Sequence, residues 1–183
     1  MASTARLDYK KFEINKKWVF LGLLVWITSF FIDIWPIIFL TFFCIINSVM
    51  LSFKRYFDAP VDPEFSTFSA ILMTVQYGLI YGILAGILTK FVSMMYIKNI
   101  KVNYFFMMTG YVVAAFLANI FRGYNVVVLG LIVTLLANTY LFFVRKFIVN
   151  YSAFEIFSYT ATNIIFNFVL FLGFSEFFIK IMI

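Results

Sequence analysis

The side chains with most to offer chemically stand in the last apolar stretch, where Glu155, Tyr159, Asn163 and Asn167 follow at four-residue steps with Thr160 and Thr162 beside them. That spacing stacks side chains on one face of a helix, so the four form a single polar stripe. Thr134 and Asn138 repeat the spacing one helix earlier. Asn119 and Asn47 stand in two further apolar runs, and Ser66, Ser69 and Gln76 open a third. An amide left in hydrocarbon without a partner costs several kcal/mol by transfer estimates, roughly, although interhelix bonds measure nearer 1 kcal/mol. These groups are therefore expected to face inward. Two readings follow. In one, Asn119, Asn138, Tyr159, Asn163 and Asn167 make the polar contacts to a bound small molecule; in the other, the amides bond to one another or to the backbone.

A second pattern is built from small residues. Gly78, Gly82 and Gly86 fall at four-residue steps in YGLIYGILAGIL, and Gly110, Ala114 and Ala118 repeat them. Faces without bulk let helix backbones approach closely. They suit packing inside the chain or a surface for a partner subunit.

Acid–base and metal chemistry find little support. The chain has no His and a single Cys44 inside an apolar run, which cannot form an intrachain disulfide. Cys44 is expected to be packed or to face lipid. Asp33, Lys90, Glu155 and Glu176 are the charges within apolar stretches, each toward a predicted helix end where snorkelling or the interface accounts for it. No nucleophile-elbow, HExxH, phosphate-gripping glycine loop or aspartate-rich metal motif occurs. A lipid-synthesis enzyme ranks third for that reason. The expectation is a non-catalytic protein with no metal and no cofactor.

The elements that must position these residues are membrane helices. Of 183 residues, 64% are apolar and 12% charged, and mean hydropathy is +1.03. So little polar surface cannot cover a water-soluble globule. The 27 Phe and 11 Tyr are ordinary bulk for contacts with lipid and between helices, needing no cofactor to explain them. The net charge of +6 is scattered over loops, which suits orientation and anionic lipid rather than nucleic acid.

Residues 1–17 carry Arg6, Lys10, Lys11, Lys16 and Lys17 and read as a cytoplasmic lead-in; residues 18–183 read as one transmembrane helical domain. Trp18 to Phe53 would make a helix of about 54 Å, against about 30 Å of hydrocarbon, so Asp33 and Pro36 divide it into a short first hairpin. Helix one is Trp18 to Ile32 and helix two about Pro36 to Phe53. The segment Lys54 to Glu64, with Pro60 and Pro63, is a loop. Helix three covers about Phe65 to Tyr96, helix four Tyr104 to Phe121, helix five Tyr124 to Val144, and helix six Ala153 to the C-terminus. The fold class is an all-α polytopic bundle of six helices in the cell membrane, with both termini cytoplasmic. Positive-inside counting leaves five and six spans level: six place Lys54, Arg55, Arg122 and Lys180 inside with the lead-in, and Lys98, Lys101, Arg145 and Lys146 outside.

The segment Asp62 to Met95 resembles a stretch in the substrate-binding subunits of energy-coupling factor (ECF) vitamin transporters. There a Ser-containing entry leads into a glycine-rich helix written GPLAGxxxG. Gly82, Ala85 and Gly86 carry the match, with Ile83 where proline is common, and the chain length and six-helix count suit that family. The family's AxxxA pattern for docking to the transmembrane coupling subunit is missing from WVFLGLLVWITSFF. A rod-shape protein of the cell-elongation machinery shares the six-helix form without transporting anything. The resemblance implies a subunit that binds a vitamin-like molecule between its outer helix ends and is energised by a transmembrane coupling subunit and ATPase subunits. The alternative is a non-catalytic membrane scaffold subunit of a larger complex.

Overall fold

The computed structural model describes residues 33–53 and 61–182, with Lys17, Phe20 and Gly22 besides. The chain divides at Ile34–Trp35, and the architecture described here is that of the unit Trp35–Ile183. The lead-in and the helix expected over Trp18 to Ile32, with the first hairpin it would form, lie outside the described residues.

Six helices and no strand occur among the described residues: α1 Trp35–Phe53, α2 Ser66–Tyr77, α3 Leu79–Tyr96, α4 Val102–Ile120, α5 Val126–Phe147 and α6 Ala153–Ile181. All but α2 are long and apolar enough to cross a bilayer, so the protein is a multi-pass membrane helix bundle. Local signals set the boundaries. Pro36 stands in the first turn of α1, where its missing N–H would be unbonded anyway. The Asn125 side chain accepts from Val127 N to cap α5. Ser152 and Glu155 form a reciprocal capping box that starts α6. Glu155 thus leaves the polar stripe and serves its own helix end.

One expected element is built differently. Phe65 to Tyr96 is not a single helix, because Gly78 turns the chain with φ +99°, a backbone that side chains resist, and α3 folds back along α2. A Cβ at Gly82 would run into the Thr74 hydroxyl and the Ala70 carbonyl oxygen, so glycine there lets the two antiparallel helices touch.

The turn at Gly78, the start of α1, the α4–α5 loop and the C-terminus share one end of the bundle. There Tyr77 Oη and Gln76 Nε2 donate to Met182 O at 2.7 and 3.2 Å, and Arg122 Nη2 donates to Val75 O at 2.8 Å. At the opposite end, Asn103 Nδ2 donates to Tyr151 Oη at 3.5 Å, joining the loops on either side. Among the described residues five helices are long and apolar enough to span, and between α1 and α3 the chain runs through irregular backbone, residues 61–65, and then α2. The loop holding Lys98 and Lys101 lies at the end opposite the Gly78 turn, and Lys54 and Arg55 lie outside the described residues.

The interior is layered. Toward the Gly78 end, Phe68 packs against Phe171 and Phe178 with ring centroids 4.9 and 5.7 Å apart, and Phe178 meets Phe43 at 5.5 Å. Toward the other end it turns polar.

Candidate functional site

The polar layer forms around the irregular segment Val61, Asp62, Pro63, Glu64 and Phe65. Buried non-helical backbone survives only where protein or water satisfies its polar groups, and here protein does so. Asn47 of α1 accepts from Phe65 N at 2.8 Å and donates to Ser66 Oγ, Thr89 O and Ser93 Oγ at 3.2, 3.1 and 3.2 Å. Thr162 Oγ1 of α6 accepts from Asp62 N at 3.0 Å, and Asn163 Nδ2 donates to Asp62 O at 3.3 Å. One asparagine thus holds the start of α2 while two α6 side chains hold Asp62.

The segment delivers two carboxylates into the bundle, where two cations meet them. Lys90 of α3 pairs with Glu64 and lies 4.0 Å from Asp62 Oδ1. Tyr111 of α4 donates to the other Glu64 oxygen. Arg145 of α5 donates to Asp62 Oδ2 at 3.1 Å through Nη2 and to Thr160 Oγ1 at 3.0 Å through Nη1. All four charged residues are at most 1% exposed. From Gly78, Lys90 is twelve residues along α3 and Glu64 fourteen back along α2 and its approach, so both lie about 20 Å from the turn. The level match explains the pairing: the hairpin brings opposite charges to one depth.

Above the charges sit half-buried aromatic rings. Tyr104 lies over Lys90 Nζ at 5.1 Å, Tyr159 lies over Arg145 Cζ at 5.7 Å, and Tyr151 meets Tyr159 at 5.6 Å. These rings screen the cations from water while adding cation–π attraction.

The predicted asparagines are brought together beneath this cluster. Gly130 faces Phe171, and Asn138 Nδ2 donates to Asn163 Oδ1 at 2.9 Å, which sets the antiparallel register of α5 on α6. Asn167 Nδ2 donates to Asn163 O at 2.9 Å and to Asn163 Oδ1 at 3.2 Å. Asn138, Asn163 and Asn167 are at most 1% exposed, facing inward as hydrocarbon demands. They bond to each other as the second sequence reading has it, and the site extends from them toward Arg145. Tyr159 joins the site as a lid on Arg145. Asn119 does not: it is exposed, on the turn-end half of α4, away from the cluster.

Lys90 and Arg145 are corrections of another kind. Snorkelling was expected of Lys90 and a loop position of Arg145; both are sealed in the bundle. Asp62, Glu64, Tyr111 and Asn47 also lay outside the predicted site. The sequence signal was the lone Lys90 in an apolar run, a charge with no interface nearby once Gly78 is read as a turn.

The small-residue faces are consumed inside the chain. Gly86 meets Tyr111 Cβ, Gly110 meets Leu141, and Ala114 and Ala118 are fully buried. Cys44 is likewise packed. No family model, no curated protein and no solved structure matches the chain.

Proposed function

We propose that the chain is a non-catalytic, membrane-embedded substrate-binding subunit of a transporter for a small vitamin-like molecule. The observation that carries this reading is the irregular segment 61–65, held inside the bundle with Asp62 and Glu64 against Arg145 and Lys90. Interrupted helices inside a bundle are where transporters place their ligands, and ionisable residues buried among spanning helices are functional-site candidates by default. The ion pairs tie α3 and α5 to one irregular stretch of chain, so that a ligand bonding to this layer is felt by both helices. The chain has no nucleotide-binding motif, so the energy comes from partners. The likeness to substrate-binding subunits of energy-coupling factor transporters supplies their kind: a transmembrane coupling subunit and ATPase subunits.

A scaffold subunit would expose its small-residue faces to neighbouring helices. Gly82, Gly86, Gly110, Ala114 and Ala118 are all spent on contacts within this chain, which removes the feature that favoured scaffolding.

The test is thermal unfolding of the purified chain in mild detergent against a vitamin panel, read by dye labelling of the single buried Cys44, together with pull-down from membranes. A ligand at 100 times its dissociation constant stabilises by about 2.7 kcal/mol. Stabilisation by one compound class and co-purification with an ATPase are expected. A stable complex without ATPase, from a chain that no compound stabilises, sinks the proposal.

A further inference from the structure

The proposed binding site carries its own statement of what it takes. Its four buried charges are two carboxylates and two cations, so the cluster has no net charge. A ligand bringing net charge would leave that charge uncompensated in a medium that solvates it poorly. An uncharged ligand meets no such barrier.

The hydrogen-bond inventory is more specific. Native interiors leave few buried polar atoms unpaired. Here Arg145 Nε, a donor, has no hydrogen-bond partner, and neither have Thr134 Oγ1, Asn138 Oδ1 and Asn167 Oδ1, three oxygens able to accept. These atoms belong to one patch. Arg145 grips Asp62, the Asp62 carbonyl oxygen accepts from Asn163, and Asn163 Oδ1 takes the amide hydrogens of both Asn138 and Asn167. Thr134 is one turn before Asn138 on the same face of α5, and its carbonyl takes the Asn138 amide. A donor thus stands at one end of the α5–α6 seam and a set of acceptors deeper in it. Tyr151 and Tyr159 roof the seam with half-buried rings, and Tyr104 covers Lys90 beside it, a surface that a flat ring covers well.

We propose that this site takes an uncharged planar heterocycle with an amide-type edge. A ring carbonyl or unprotonated ring nitrogen accepts from Arg145 Nε–H, and ring N–H groups donate to the oxygens of Asn138, Asn167 and Thr134. This inference rests on the binding reading above and gives it a substrate class.

The experiment uses the purified full chain with lumichrome and uracil as uncharged probes with a C=O/N–H edge, 2-naphthoate as an anion, tryptamine as a cation and naphthalene as a flat ring without an edge. At 100 times its dissociation constant an edge-bearing probe raises the melting temperature by roughly 5 °C or more; the other three do not. Stabilisation by 2-naphthoate, tryptamine or naphthalene in place of lumichrome and uracil overturns the substrate class while leaving the binding reading in place. A chain that neither these probes nor the vitamin panel stabilises loses both. Thr134→Val gives an independent check. It removes an unpartnered buried hydroxyl, so the ligand-free chain unfolds at the same or a higher temperature, while affinity for the edge-bearing probe falls about five- to tenfold. Unchanged affinity in Thr134→Val shows that the seam does not contact the ligand and overturns the assignment.

Discussion

Replacing Lys90 by methionine separates a buried charge from a snorkelling one. The side chain keeps most of its length and apolar stem but loses the ammonium that pairs with Glu64 and stands 4.0 Å from Asp62. Glu64 keeps the Tyr111 hydroxyl, while its carboxylate stays fully buried without a cation. Removing one partner of a buried pair costs about 3–5 kcal/mol. For a chain of this size about 2–4 °C accompanies each kcal/mol, so the melting temperature should fall by roughly 6–20 °C. A surface pair would give only about 0–1 kcal/mol, which is what an interfacial Lys90 predicts. The double variant Lys90→Met, Glu64→Gln removes both charges and should recover most of the loss, because a well-packed uncharged replacement of a buried pair is often neutral. The assay is dye labelling of Cys44, the only thiol and buried when folded, during a temperature ramp in detergent. A Lys90→Met chain that melts within 2 °C of the parent refutes the buried pair, and with it the site.

Three further outcomes test the site and its packing. Adjacent residues should differ sharply: Arg145→Ala should lose about 3–5 kcal/mol, whereas exposed Lys146→Ala stays within about 0.5 kcal/mol by the same ramp. Asn163→Leu strips partners from Asp62 O, Asn138 and Asn167 together and should cost about 2–4 kcal/mol, while exposed Asn119→Ala changes neither stability nor ligand affinity. Gly82→Ala drives a methyl into Thr74 and the Ala70 backbone and should cost about 1–3 kcal/mol, against about zero for Gly123→Ala, which meets open space.

What composition and periodicity determined was everything the bilayer itself demands. Apolar length sets the membrane class and the spans beginning near Pro36, Tyr104, Tyr124 and Ala153, because hydrocarbon thickness acts on each segment separately. Four-residue spacing put Asn138, Asn163 and Asn167 inside for the same reason. The rest depended on which segments meet. Gly78 reads as one more small residue in a helical run until its backbone is seen to reverse the chain. Only that reversal brings Glu64 level with Lys90 and makes a terminal-looking cation a buried one. Arg145 beside Lys146 looks like a loop pair, yet one more turn of α5 and an approaching Asp62 seal it in the interior. Charges find partners through contacts tens of residues apart, 26 for Glu64 and Lys90 and 83 for Asp62 and Arg145. Such pairing energies appear only when the helices are assembled, whereas hydrophobic length is felt residue by residue along the chain.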